Sequence, residues 1–444
     1  MTYTSDAALY AIYQAHPRVR IDSRQVGPGD LFVGLTGTQV KGSDYAAQAL
    51  AAGAAYAVVD DPAAVVTQDK RYLLVEDSLV ALQQLAIEHR RRHRMPVLAI
   101  TGSNGKTTTK ELVRAVMSRQ YRVHATPGNY NNHLGLPLTV LATPEDTEMT
   151  ILEMGANRRG DIAELCTLGL PTHGLVTNVG EAHLEGFGGK AGVIAGKGEL
   201  YDYLAATNGV AFVNRDESHL SQMAAACTRI IGYQVSEAPT AEVPEMEIQV
   251  FALHPEIEVG FLSGGGALLR CRVHLSGQHN LQNVKTAIAV GKYFKVPGRE
   301  IVAALEAYRS ANHRSQALQH RNVNFYWDAY NANPSSMEAA LAGFAADYRP
   351  EAAVAILGEM LELGEAAAAA HRRIALRAGQ AAQTVILVGE GTREAAREFE
   401  RPWFANSTEL AKWFWAQDWS GKTVFVKGSR GNRLEQLLAE DSLP

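Results

Sequence analysis

Directly after the apolar run Val97-Leu98-Ala99-Ile100 stand Thr101, Gly102, Ser103, Asn104, Gly105, Lys106, Thr107 and Thr108, residue types suited to holding a polyphosphate. Glycines let backbone N–H groups approach phosphate oxygens, and a helix opening at Lys106 turns its positive end toward them. Lys106 supplies a mobile charge for the terminal phosphates, and Thr107 a hydroxyl for Mg²⁺. The general pattern G-x-x-x-x-G-K-[ST] is incomplete, because Ile100 stands where its first glycine belongs. Farther along, Glu153 ends the strand pattern MTILE and His183 lies in the turn GEAHLEGFG. A carboxylate and an imidazole leaving neighbouring strand ends could flank a hydrated Mg²⁺, since open α/β sheets hold ligands at that edge. Lys197, in AGKGELYDYL, is expected to begin a helix, and by type alone it is a solvated cation.

Positioning such groups takes a layered α/β protein. At roughly 150 residues per domain, 444 residues suggest three domains. Residues 1–95 alternate short strands (LFVGL, YAVVDD) with an Ala-rich helix at 45–54, and end in the helix pattern SLVALQQLAIEHRRRHR. The basic run from His89 to Arg94 is expected to be a solvated helix end whose cations suit the negative dipole terminus. Residues 96–310 carry the apolar strands of a parallel sheet covered on both faces, with an antiparallel excursion over 235–275. Residues 311–444 repeat a strand followed by a Gly or Asn turn, in VNFYWDAYNANP, AAVAILGEM, TVILVGEG and TVFVKGSRG.

Composition removes other classes. Lys plus Arg is 42 and Asp plus Glu is 47, a net charge of −5, which argues against a nucleic-acid coat. A hydrophobic share of 46% excludes a disordered chain. No apolar stretch reaches the roughly 20 residues a membrane span needs. The N-terminus has no secretory pattern, and Cys166, Cys227 and Cys271 form neither a metal pair nor a disulfide framework. The expectation is a cytoplasmic protein with no membrane insertion.

The phosphate-loop variant TGSNGKTTT resembles that of the Mur ligases, ATP-dependent amide-forming enzymes of peptidoglycan precursor synthesis, whose loop dispenses with the first glycine. The resemblance runs on through TPGNYNNHLGLPLTVL, ILEMGANRRGDI, VTNVGEAHLEGFG, GKGE and SGQHNLQNVKTAIA. IDSRQVGPGDLFVGLTG, DAYNANPSSMEAAL, LGEMLELG and KGSRGNRLE look most like the branch that adds D-alanyl-D-alanine to UDP-MurNAc-tripeptide. The resemblance implies three domains: an α/β UDP-binding domain, a central phosphate-loop ATPase domain with a parallel sheet, and a Rossmann-like C-terminal domain. It also implies a set of roles. Gly102 to Thr108 would cradle ATP, with Lys106 on its β/γ-phosphates and Thr107 on one Mg²⁺. Glu153 and His183 would hold a second Mg²⁺, and Lys197 would be carbamylated into a carboxylate-like metal ligand. Asn280 and Asn283 would lie against adenine, while Arg314 and Asp328 reach in to the γ-phosphate and ribose. Ser23, Arg24 and Asn129 would bind the UDP-linked substrate.

Two positions depart from the family's usual pattern: Trp327 replaces an acid before Asp328, and Asn432 a common Met. The nearest rival is the sibling that adds the third amino acid, whose Asp-Asn-Pro-Arg-type motif is missing here. Folylpolyglutamate synthetase shares the loop but has no use for DAYNANP. A nucleotide-binding regulator would not need Glu153, His183 and Lys197 together, and a small-molecule kinase would not need the last domain.

Overall fold

The computed structural model describes residues 2–38, 40–236, 246–310 and 316–439. Three sheets form within them. The first is parallel, in the order Val19–Arg20, Leu31–Val33, Tyr56–Val59, Tyr72–Leu74. In the second, Val97–Thr101 lies between His173–Val176 and Met149–Glu153, parallel to both. That sheet continues through Val210–Asn214 and Arg229–Val235 to Glu247–Ala252, all parallel. Only Ile257–Leu262 and Leu268–Val273 then turn antiparallel, so the excursion expected over 235–275 is an extension of the main sheet. The third sheet is ordered Gln316–His320, Val323–Asp328, Thr423–Lys427, Ala353–Gly358, Thr384–Val388, Trp403–Phe404, and only its first pair is antiparallel.

Strand side chains alternate faces, and the cores follow that alternation. Val97 and Ala99 enter one apolar cluster while Leu98 and Ile100 enter another. Helix Lys106–Met117 packs its Leu112, Val113 and Val116 with Val284 and Ile288 of helix Gln278–Tyr293 on the second face. The first face is shared more widely. Leu82 and Leu85 of helix Ser78–Arg92, Leu31 and Val33 of the N-terminal sheet, and Leu136, Leu165 and Leu200 of the middle region form a single cluster. The clusters of the third sheet, by contrast, contain only residues beyond 322 among their buried members.

Several local expectations are corrected. The helix expected at 45–54 is only Ala46–Ala51, preceded by a 3₁₀ turn. His89 and Arg90 are buried, not solvated. Arg90 donates to the carbonyls of Gly169 and Leu170, each at 3.2 Å, so it satisfies the open end of helix Asp161–Gly169 as well as its own. Lys197 does not open a helix either: it lies in the middle of Lys190–Ala206 and is 1% exposed. Arg314 lies outside the described residues. No helix among the described residues is long and apolar enough to cross a membrane.

Candidate active site

Two glycines let the phosphate loop take its course. Gly102 has φ 142° and sits so close to the next strand end that a Cβ would lie 2.0 Å from Thr177 Oγ1. Gly105 has φ 79°, and a Cβ there would lie 2.5 Å from Asn283 Oδ1. The loop is then pinned by residues absent from the sequence-based set. Asn104 donates its backbone N–H to Asn178 Oδ1 at 3.0 Å, and its carbonyl accepts from Thr177 Oγ1 at 2.6 Å and Asn178 Nδ2 at 3.0 Å. Ser103 donates its N–H to the Asn178 carbonyl at 3.0 Å. Lys106 Nζ donates to the Gly102 carbonyl at 2.8 Å.

Beside the loop, Thr107 Oγ1 donates to Glu153 at 2.9 Å, and Asn131 Nδ2 donates to the same carboxylate at 2.9 Å. Glu153 is 2% exposed, and Lys110 Nζ stands 3.8 Å away. This hydroxyl–carboxylate pair is a set of hard oxygen donors, which fits a hydrated Mg²⁺. His183 has a left-handed backbone, φ 52°, and bonds through Nδ1 to Glu362 of the third sheet's domain. Burial pulls its imidazole below the ordinary histidine range, and the Glu362 charge opposes that pull. Among the described residues no three His, Cys, Asp or Glu side chains converge on one point.

The Lys197 amine donates to the Ala156 carbonyl at 3.3 Å and lies 5.2 Å from the Phe187 ring centre. Burial, with Lys106 adding to it, holds this amine well below the ordinary lysine range. Asn283 Oδ1 accepts from Thr109 Oγ1 at 2.9 Å, and Asn280 Nδ2 donates to the Ser276 carbonyl at 3.0 Å. Asp328 is held by Lys427 Nζ at 2.5 Å, and Lys427 also reaches the Asn331 carbonyl at 3.0 Å.

A cavity of about 1060 Å³ gathers most of these groups. Ser103, Asn104, Gly105, Lys106, Thr107 and Thr108 line it, as do Asn129, Glu153, His183, Asn280, Asn283 and Asp328. Gly102, packed against Thr177, is not among the lining residues. Lys197 stands behind the wall, its amine on Ala156, which is itself a lining residue. Ser23 and Arg24 are not brought here, for none of the described lining residues comes from the first 95. Ser23 faces Gln48 at 3.4 Å, and Arg24 pairs with Asp22 at 2.8 Å, in a 3₁₀ turn of the N-terminal domain.

The cavity is closed by a meeting of two distant segments. Asn104 of the phosphate loop donates to Ser335 Oγ at 3.0 Å and accepts from Asn333 Nδ2 at 2.7 Å. Asn333 also caps helix Pro334–Asp347 by accepting from the Ser336 N–H. Asn131, Asn178, Asn333, Ser335 and Lys427 thus join the site. All fall within or beside motifs visible in the sequence, but no local signal says that they meet.

A polyphosphate loop on a doubly covered parallel sheet, facing a second α/β domain across one cavity, defines a nucleotide-dependent enzyme assembled from modules. The descriptions "Mur ligase family, catalytic domain", "Mur ligase middle domain" and "Mur ligase, glutamate ligase domain" match residues 18–95, 100–291 and 313–430. The chain belongs to the Mur ligase family. It is 32% identical over 435 residues to the UDP-N-acetylmuramoyl-tripeptide–D-alanyl-D-alanine ligase of Bacillus subtilis (strain 168), covering 95% of this chain and 92% of that protein. Among solved structures, MurF from Acinetobacter baumannii superposes with a TM-score of 0.83 at 27% identity, covering 97% of each chain. MurF ligase from Thermotoga maritima in complex with ADP gives 0.80 at 25% identity, covering 96% of each.

Proposed function

We propose that this chain is an ATP-dependent carbon–nitrogen ligase that joins D-alanyl-D-alanine to UDP-MurNAc-tripeptide, making the pentapeptide precursor of peptidoglycan. The observation that carries this reading is the junction of Asn104 with Asn333 and Ser335. It sets the phosphate loop against the DAYNANPSS segment, in a chain similar throughout to the Bacillus ligase.

A carboxylate and an amine do not condense at useful rates, because an oxide is a poor leaving group. In the proposed reaction a terminal carboxylate oxygen of the tripeptide attacks the γ-phosphorus, and ADP leaves. The dipeptide amine then attacks the acyl carbon, and the tetrahedral intermediate expels phosphate while the nitrogen loses a proton. Both steps depend on positioning and charge neutralisation. Lys106 serves the β/γ-phosphates, Gly102 to Thr108 present the loop, and Arg314, which lies outside the described residues, is assigned to the transferring group by the resemblance alone. Asn280 and Asn283 flank the adenine, and Asp328, fixed by Lys427, serves the ribose. Asn129 lies on the substrate side, and Ser23 and Arg24 at the UDP end.

Thr107 and Glu153 would hold one Mg²⁺, and Glu153, His183 and a carbamate on Lys197 a second. The ions supply charge neutralisation for phosphoryl transfer. Carbamylation needs a neutral amine that attacks the carbon of CO₂ and loses a proton, and the depressed affinity of buried Lys197 for protons supports that. Replacing Lys197 by Ala should abolish turnover, with partial rescue by short carboxylic acids; full activity in the variant would exclude the carbamate. We place the domain boundaries near 95/96 and 310/311 and the protein in the cytoplasm.

The deciding experiment is product mass after incubation with ATP, Mg²⁺ and UDP-MurNAc-tripeptide, with and without D-alanyl-D-alanine. Dipeptide-dependent phosphate release with a pentapeptide mass is expected. A tripeptide formed from UDP-MurNAc-dipeptide and a free amino acid would move the chain to the sibling reaction.

A further inference from the structure

Glu217 follows strand Val210–Asn214, and Gln282 lies on helix Gln278–Tyr293 between Asn280 and Asn283; both line the cavity, and neither side chain was given a role from the sequence. Hydrogen bonds behind the wall decide which way the Gln282 amide faces. Lys285 is fully buried; its Nζ donates to Asn214 Oδ1 at 3.2 Å and pairs with Asp216. An ammonium group only donates, so the Asn214 oxygen must face it. The Asn214 NH₂ is thereby turned to Gln282 Oε1, which accepts at 2.6 Å. That leaves the NH₂ of Gln282, a cavity-lining residue, available to donate. Glu217 is tied to the same residue, its N–H donating to the Asn214 carbonyl at 3.3 Å, and its carboxylate can only accept.

One acceptor and one donor anchored to a common residue match an edge of adenine, where the 6-amino group donates and the adjacent ring nitrogen accepts. We propose that Glu217 accepts from the 6-amino group of the bound nucleotide and that Gln282 donates to the neighbouring ring nitrogen. Lys285, Asp216 and Asn214 are positioning residues that hold the Gln282 amide in the donating orientation. The assignment rests on the ATP-dependent reading and adds the groups that read the base.

The test is equilibrium binding of nucleoside diphosphates to the full chain, which separates it from turnover. The wild type should bind purine riboside diphosphate, which lacks the 6-amino group, roughly tenfold more weakly than ADP, about 1.4 kcal/mol. Glu217→Ala should lose the same factor on ADP and no longer distinguish the two. Glu217→Gln, which keeps an acceptor oxygen, should restore most of the distinction. Gln282→Leu should erase the discrimination against one of two probes, 7-deaza-ADP or 1-deaza-ADP, and thereby name the edge that is read. Lys285→Met should weaken that same discrimination; if this buried variant does not fold, Gln282→Leu decides. Equal binding of ADP and the purine analogue by the wild type, or a full tenfold distinction retained in Glu217→Ala, overturns the Glu217 assignment. Unchanged discrimination against both deaza probes in Gln282→Leu overturns the Gln282 assignment. Intact base discrimination without dipeptide-dependent product would sink the ligase reading and leave this one standing.

Discussion

The two junctions between the sheets are built from opposite materials. Between the N-terminal and central sheets the contact is a hydrophobic core: Leu85, Leu141 and Leu165 belong to one buried cluster, and Tyr13 Oη donates to the Leu141 carbonyl at 2.5 Å. Between the central and C-terminal sheets it is polar. Asn104 meets Asn333 and Ser335, His183 meets Glu362, Arg373 reaches Glu181 at 2.6 Å, and His254 Nδ1 lies 2.8 Å from Asp347. Apolar burial gives a contact that is costly to open, while hydrogen bonds and exposed ion pairs exchange with water at small net cost. The first junction therefore fixes a frame. The second, which carries the cavity, is by the same argument the cheaper of the two to break.

The largest effect should come from the frame. Leu85→Ala removes buried volume from the shared cluster and should cost about 2–5 kcal/mol. Denaturant unfolding followed on the N-terminal and central regions separately should still show one coincident transition. Two separated transitions in the wild type would break the comparison. Next, Asn104→Ala removes both hydrogen bonds across the cleft. It should lower kcat tenfold or more, at least about 1.4 kcal/mol in the barrier, with less effect on unfolding than Leu85→Ala. A variant that unfolds readily but turns over normally would reverse the roles assigned to the two junctions.

The third test is acid. Burial pushes His89, in the first junction, from 6.5 down to about 4. Between those values the unfolded chain binds a proton that the folded chain refuses, so stability falls as pH falls through that window. The melting midpoint should drop accordingly, and His89→Asn should flatten the slope; an unchanged slope would remove His89 from the account. The smallest effect is expected from Arg373→Ala, whose ion pairs are partly exposed. It should change stability by less than about 1 kcal/mol, and adding salt to the wild type should mimic it.

Legibility in the sequence followed the range of the interaction. The phosphate loop was readable because its glycines, Lys106 and Thr107 act within one strand-to-helix turn. Glu153 could be placed because strand periodicity marks a carboxyl edge. The junction of Asn104 with Asn333 could not, since it joins residues 229 apart and nothing local encodes their approach. Nor could the fate of the cations. Arg90 and Lys197 sit in stretches that look solvated, and each is buried because a neighbouring element covers it and a carbonyl receives it.

By itself, then, the sequence determined the three α/β modules, the polyphosphate loop and the oxygen donors beside it, because turn chemistry and strand period are local properties. Only the tertiary structure decided which junction is apolar and which polar, and which amine is stripped of water. It likewise decided which way the Gln282 amide faces, because burial and hydrogen-bond direction depend on partners that the chain brings together only on folding.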